Sequence, residues 1–170
     1  GMEDDDFAQS VVYLFDHDEQ GALGLCINKL TDSPLDGLFE QMHWTLRRTD
    51  LVGSKMLWGG PVRPEAGFVL HSRMTEPDSD EPLYNASKLI APDVQLTTSR
   101  DVLQQLAEGQ GPEKMLIALG CSSWVGGQLE DEIARNSWLT VPADSRLIFD
   151  TPIEQRWEQA LRLLGIEPTM

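Results

Sequence analysis

The segment from Ala118 to Leu139, ALGCSSWVGGQLEDEIARNSWL, constrains the fold more than any other part of the chain. It reads as the end of a buried strand at Gly120, a small polar turn carrying Trp124, a Gly126-Gly127 pair, and a charged amphipathic helix leading to Trp138. Met115 to Leu119, just before it, is almost wholly apolar, the pattern of a strand covered on both faces.

The rest of the chain supplies short elements around that centre. Ser10 to Phe15 and Leu23 to Asn28 read as strands, with the polar run Asp16-His17-Asp18-Glu19-Gln20 as their hairpin connection. Leu23, Leu25 and Ile27 share one face of the second strand, so Cys26 and Asn28 point together into a cleft or beneath a covering helix. Ser33-Pro34-Leu35-Asp36 reads as a helix start with Ser33 as N-cap, followed by the stripe Leu35, Leu38, Phe39 and Met42. Further strands are expected at Met56 to Trp58, ending at Gly59-Gly60-Pro61, and at Gly67 to Ser72. Glu76 to Pro82 reads as an acidic surface loop. Val94 to Thr97 reads as a strand running into a helix capped by Thr98 with Asp101 and ended at Gly109. Beyond the helix at Gln128 to Asn136, strands are expected at Trp138 to Val141 and Leu147 to Phe149. A Thr151-to-Glu154 capping box opens the last helix, with a stripe from Ile153 to Leu164 and a stop at Gly165. The expectation is one α+β domain over residues 1–170, with mixed short strands and about four helices.

Charge narrows the function classes. The chain carries 28 acidic and 13 basic residues, a formal charge of -15, and its only adjacent basic pair is Arg47-Arg48. Such a surface repels phosphate backbones, which argues against direct nucleic-acid binding. Cys26 and Cys121 have no CxxC neighbour and read as buried thiols in a reducing cytoplasm. No apolar window reaches the ~18 residues of a membrane-spanning helix. His17, His43 and His71 show no metal-ligand spacing, and no motif calls for a cofactor.

Several residues have both a chemical and a structural reading. Thr98, Ser99 and Arg100 stand where a strand runs into a helix; free N–H groups and the guanidinium could hold an anion there, or Thr98 or Ser99 merely caps while Arg100 pairs with a carboxylate. Gly120 to Trp124 resembles a nucleophile elbow, but Trp124 stands where the motif needs glycine, which leaves a hydrolase on Ser122 or Ser123 with His71 without its turn. His71 shares a strand face with Val69 and reads first as a hydrogen-bonded structural histidine. Cys121, near a helix start, is either a lowered-pKa redox thiol or an inert one. Asp131 and Arg135 are spaced as an i,i+4 ion pair on a solvated face; alternatively Gln128 and Glu130 line a polar cleft with Trp124 and Trp138.

FAQSVVY at Phe7, His17, GALGLCINK at Gly21, WGGP at Trp58, GFVLH at Gly67, TTSRDVL at Thr97, the Ala118 to Leu139 segment and Arg156-Trp157 occur in one order along nearly the whole chain. That set resembles the bacterial AlgH and YqgE family, whose members are often labelled transcriptional regulators without an established biochemical activity. The resemblance implies a mixed, mostly antiparallel bifurcated sheet folded into a pseudo-barrel with helices outside, in a cytoplasmic protein. Three departures stand out. Only Gly1 to Asp6 precede the segment where members carry a further apolar strand, Leu30 stands where the family commonly has proline, and Cys121 where it has tyrosine. The first would leave an unpaired sheet edge and favour homodimer contact or local disorder. The resulting expectation is a non-catalytic regulatory protein that binds a protein partner or a small anionic ligand, through residues among Asn28, His71, Thr98, Ser99, Arg100, Cys121, Trp124 and Gln128. The alternative is an enzyme or redox protein with a cleft near His71, Arg100, Cys121 and Trp124.

Overall fold

Two residues, Glu19 and Gln20, reverse the chain between its first two strands. The computed structural model describes residues 9–163. In it β1 (Val12–Asp18) and β2 (Gly21–Cys26) pair antiparallel from Asp18↔Gly21 to Val12↔Cys26. The expected connection is therefore shorter than its polarity suggested. His17 and Asp18 stay in the ladder, and Asp18 Oδ1 accepts the Gln20 N–H at 2.8 Å. The expectations at Phe7, at the sheet edge before it, and at Leu164 and Gly165 lie outside the described residues.

The remaining elements are β3 (Leu30–Pro34), α1 (Leu35–Gln41), β4 (Lys55–Trp58), β5 (Val62–Ser72), β6 (Ser87–Ala91), β7 (Val94–Thr97), α2 (Asp101–Ala107), β8 (Met115–Val125), α3 (Gln128–Ala134) and α4 (Arg156–Leu163). The pairings β1–β2, β2–β8, β3–β4, β5–β7 and β6–β7 are all antiparallel. The fold is α+β on an antiparallel sheet, as expected.

The described residues group into two compact units, through which β5 and β8 both run. The first holds residues 9–29, Trp58–Pro64 and 120–163. Its strands follow the order β1-β2-β8, with Gly21↔Val125 and Gly24↔Ser122 in register. Ala22, Trp124 and Leu129 form its small core, against which Val12, Leu14, Ile133 and Trp138 pack. Buried Arg156, at the start of α4, donates to the Ile27 carbonyl and, at 3.2 Å, to that of Thr151.

The second unit holds Leu30–Leu57 and Glu65–Leu119. Here β5 pairs with β7 and β7 with β6. The stripe read on α1 delivers Leu35 and Phe39 to the core, and α2 delivers Val102, Leu106 and Ala107; Met56, Val69, Tyr84 and Ile117 complete it. Burying a side chain the size of Phe39 contributes about 1.5–3 kcal/mol, so these two short helices are held by packing rather than by propensity.

Several local expectations give way to tertiary contacts. Ser33 does not cap α1: β3 continues through Pro34, and Pro34 takes the cap position without a side-chain bond. Thr98 does not cap α2, whose cap residue is Arg100, and Thr151 donates its hydroxyl to the Arg146 carbonyl instead. The strands expected at Trp138 to Val141 and Leu147 to Phe149 are absent. The first is irregular, and Arg146–Asp150 forms a single π-helical turn that buries Leu147 and Ile148. Short apolar runs do not by themselves distinguish strand from helix.

The largest correction concerns the opening segment. β8 does not end at Gly120 but continues to Val125. Gly120 sits inside the strand at φ +75 because Gly60 presses against it: a Cβ on Gly120 would collide with the Gly60 carbonyl, and one on Gly60 with the Cys121 carbonyl. Gly59-Gly60-Pro61 therefore serves close backbone approach as well as a turn.

Candidate functional site

The second unit contains a cavity of about 590 Å³. Its floor is apolar: Met56, Val69, Ile117 and Leu119 come from strands, Leu38 and Leu103 from α1 and α2. Its rim is polar, made by Gln41, Glu65, Thr98, Ser99 and Arg100, and buried Thr97 also lines the cavity. An apolar hollow of a few hundred Å³ with a few polar groups at its mouth has the form of a small-molecule site.

The rim groups differ in how they are held. Ser99 Oγ donates to Asp101 Oδ1 at 2.6 Å and accepts the Ala86 N–H at 3.0 Å. The Asp101 carboxylate also accepts the N–H groups of Asn85 and Val102, at 2.8 and 3.0 Å. A side-chain carboxylate thus stands at the start of the seven-residue α2, where the sequence suggested an anion could be held by N–H groups. By contrast, the exposed side chains of Gln41, Glu65, Thr98 and Arg100 make no hydrogen bond or ion pair with another described residue.

Thr97 is fixed from behind. His71 Nδ1 lies 2.7 Å from the Ser72 carbonyl, which can only accept, so Nδ1 carries the proton. Nε2 then accepts from the Thr97 hydroxyl at 2.7 Å, and Thr97 Oγ1 accepts from Ser87 at 2.6 Å. Tyr84 stands edge-on to the imidazole at 5.5 Å. Burial pushes the His71 pKa down, partly opposed by the bond to Ser72. Both ring nitrogens are engaged inside the protein, and His71 itself has no exposed surface.

A family model described as AlgH-like matches residues 1–169. The chain belongs to the AlgH-like family. Relatives called UPF0301 protein in Polaromonas sp. and Variovorax paradoxus are 51% and 52% identical, over 100% and 98% of this chain and 86% and 85% of theirs. The solution structure of the AlgH protein from Pseudomonas aeruginosa is similar at a TM-score of 0.79 and 41% identity, over 98% of this chain and 84% of that one. A Corynebacterium diphtheriae protein shares the fold at a TM-score of 0.72 and 20% identity, over 95% and 80%.

Cys121 lies mid-strand and buried rather than at a helix start. Desolvation raises its thiol pKa, partly opposed by the Arg63 charge. Leu30 is an exposed strand residue paired with Leu57. Ser122, the candidate elbow serine, is also within β8 and donates to the Gly59 carbonyl at 3.1 Å, so no elbow exists. Cys26 and Asn28 do point together, with Sγ 3.5 Å from Oδ1, but Cys26 is fully buried. The Asn28 amide ties the chain start by accepting the Val11 N–H and donating to the Gln9 carbonyl, both at 2.8 Å. Cys121, Trp124, Asn28 and Gln128 belong to the first unit; His71, Thr98, Ser99 and Arg100 belong to the second.

On α3 the acid that meets both tryptophans is Glu132. Its Oε1 accepts the indole N–H groups of Trp124 at 3.1 Å and Trp138 at 2.9 Å, while Gln128 Nε2 donates to Oε2 at 2.9 Å. Glu130 instead pairs with His17 at 2.9 Å, and the expected Asp131–Arg135 pair closes at 3.0 Å. Gln128 and Trp124 are thereby bound within the protein. Among the described residues, no three His, Cys, Asp or Glu side chains are grouped to hold a metal ion, and no helix is long and apolar enough to cross a membrane.

The cavity's other half was not visible as a motif. Gln41 and Glu65 are isolated polar residues with no informative spacing, and the floor residues read only as strand and helix interiors.

Proposed function

We propose that this chain is a non-catalytic, cytoplasmic binding protein of regulatory type whose ligand is a small molecule with an anionic group, seated in the cavity of the second unit. One observation carries the reading: an apolar hollow bears at its rim a guanidinium, that of Arg100, with no partner among the described residues. Arginine recognises planar anions through two parallel N–H bonds, and the apolar floor beside it suits the ligand's apolar part. The engaged imidazole of His71, the carbonyl-bound hydroxyl of Ser122 and the buried thiols support binding over catalysis. The charge of -15 speaks against nucleic acid as the direct partner.

The test is an amide-resolved NMR titration with apolar carboxylates, octanoate among them. Signals of Leu38, Met56, Thr98 and Arg100 should shift together, and Arg100→Gln should weaken binding about tenfold, the scale of one lost charge-assisted bond. The reading fails if no apolar carboxylate moves these signals at millimolar concentration, or if duplex DNA forms a tight complex that weakens steeply with salt.

A further inference from the structure

Arg100 is not the only unpaired charge at the cavity mouth. Glu65 lines the same cavity, is exposed, and has no ion-pair partner among the described residues, Arg100 included. Two opposite charges thus share one rim without closing on each other.

That pairing bears on the ligand. Glu65 puts a carboxylate on the cavity in which Arg100 would hold an anion, and so opposes a plain anion there. A ligand carrying both signs turns this opposition into attraction. Arg100 and Glu65 stand farther apart than an ion pair, so one ligand reaching both carries its two charges at separate points. In a free α-amino acid the ammonium and carboxylate share one carbon, whereas each further residue separates them by about 3.3–3.6 Å. The cavity of about 590 Å³ has room for more than one apolar side chain on its floor of Leu38, Met56, Val69 and Ile117. The Gln41 amide and Thr98 hydroxyl, also without partners among the described residues, match the donors and acceptors of a peptide backbone.

We infer that the ligand is a short apolar peptide with both termini free. Arg100 holds its carboxylate, Glu65 its ammonium, and the cavity floor takes its side chains. This rests on the cavity being a ligand seat and adds which chemical class fills it.

Calorimetry and NMR titration of the full chain with leucyl-leucine, N-acetyl-leucyl-leucine, leucyl-leucine amide and octanoate test it. Leucyl-leucine should bind at least about tenfold tighter than each of the other three, a single lost charge contact being of that order. Glu65→Gln should erase the preference over the acetylated peptide, and Arg100→Gln the preference over the amide. Both side chains are exposed, so thermal midpoints should stay unchanged and mark the effects as local. Octanoate or the acetylated peptide binding as tightly as leucyl-leucine overturns the peptide assignment while leaving the small-anion reading intact. No cavity shift with any of the carboxylates overturns both.

Discussion

His71 Nε2 lies 2.7 Å from the Thr97 hydroxyl, and neither residue exposes any surface. Donation from Thr97 to Nε2 requires a neutral ring, and burial holds the imidazole pKa below its ordinary 6.5. In the unfolded chain the ring protonates near that ordinary value. Below it the unfolded state binds more protons than the folded one, so stability falls with pH until the folded-state pKa is reached; above it the contribution is fully present. The slope for one proton cannot exceed about 1.4 kcal/mol per pH unit. Urea unfolding at pH 7.5 and 5.5 should show a larger loss in the wild type than in His71→Gln. Equal losses would assign the effect to other groups.

Removing Glu132 takes an acceptor from the indole N–H groups of Trp124 and Trp138. Glu132→Ala should cost about 1–3 kcal/mol, the scale of a buried donor that loses its acceptor. Tryptophan fluorescence should change with it, since Trp124 and Trp138 meet edge-on at 5.8 Å. Glu132→Gln keeps one acceptor oxygen and should recover part of the loss. A variant as stable as the wild type would show that water replaces the carboxylate.

Gly60→Ala forces a methyl group into the Cys121 backbone at φ +150. The expected loss is about 3 kcal/mol or more, read as a lowered denaturation midpoint or as failure to accumulate soluble protein. Gly67→Ala is the control: nothing lies within 4 Å of its Cβ position, and its change should stay within about 0.5 kcal/mol. Similar behaviour of the two variants would refute the close approach.

Neither thiol should react in the native protein. Desolvation raises the pKa of both Cys26 and Cys121, and both are buried. Iodoacetamide at neutral pH should modify them only after denaturation, because the thiolate is the nucleophile. Rapid native alkylation of Cys121 would revive a redox role for it.

Much of the fold was legible because local pattern and tertiary structure agreed. Val94–Thr97 reads as a strand and is one, and the Asp131–Arg135 spacing closes as an ion pair. Disagreement arose where a distant segment claimed a group. Gly120 reads as a strand end, yet the approach of Gly60 gives it a place within β8. Ser33, Thr98 and Thr151 have cap chemistry but no cap bond, Thr151 turning instead to the Arg146 carbonyl. β3 and β6 escaped notice because LTDSP and SKLIA lack an alternating apolar face. The rim followed the same logic. Thr98, Ser99 and Arg100 sit at a recognisable strand-to-helix junction, whereas Glu65 has no neighbours in sequence that mark it.

Gly21 finds its β8 partner in Val125, roughly a hundred residues downstream. On a ribosome adding ~5–20 residues per second, the β1–β2 hairpin therefore waits on the order of 5–20 s before its open side can be paired. The acidic tip of that hairpin, Asp16, Asp18 and Glu19, keeps charge on the nascent strand through that delay. The timetable of assembly is thus written into strand order: a hairpin made early is completed only once β8 has been made.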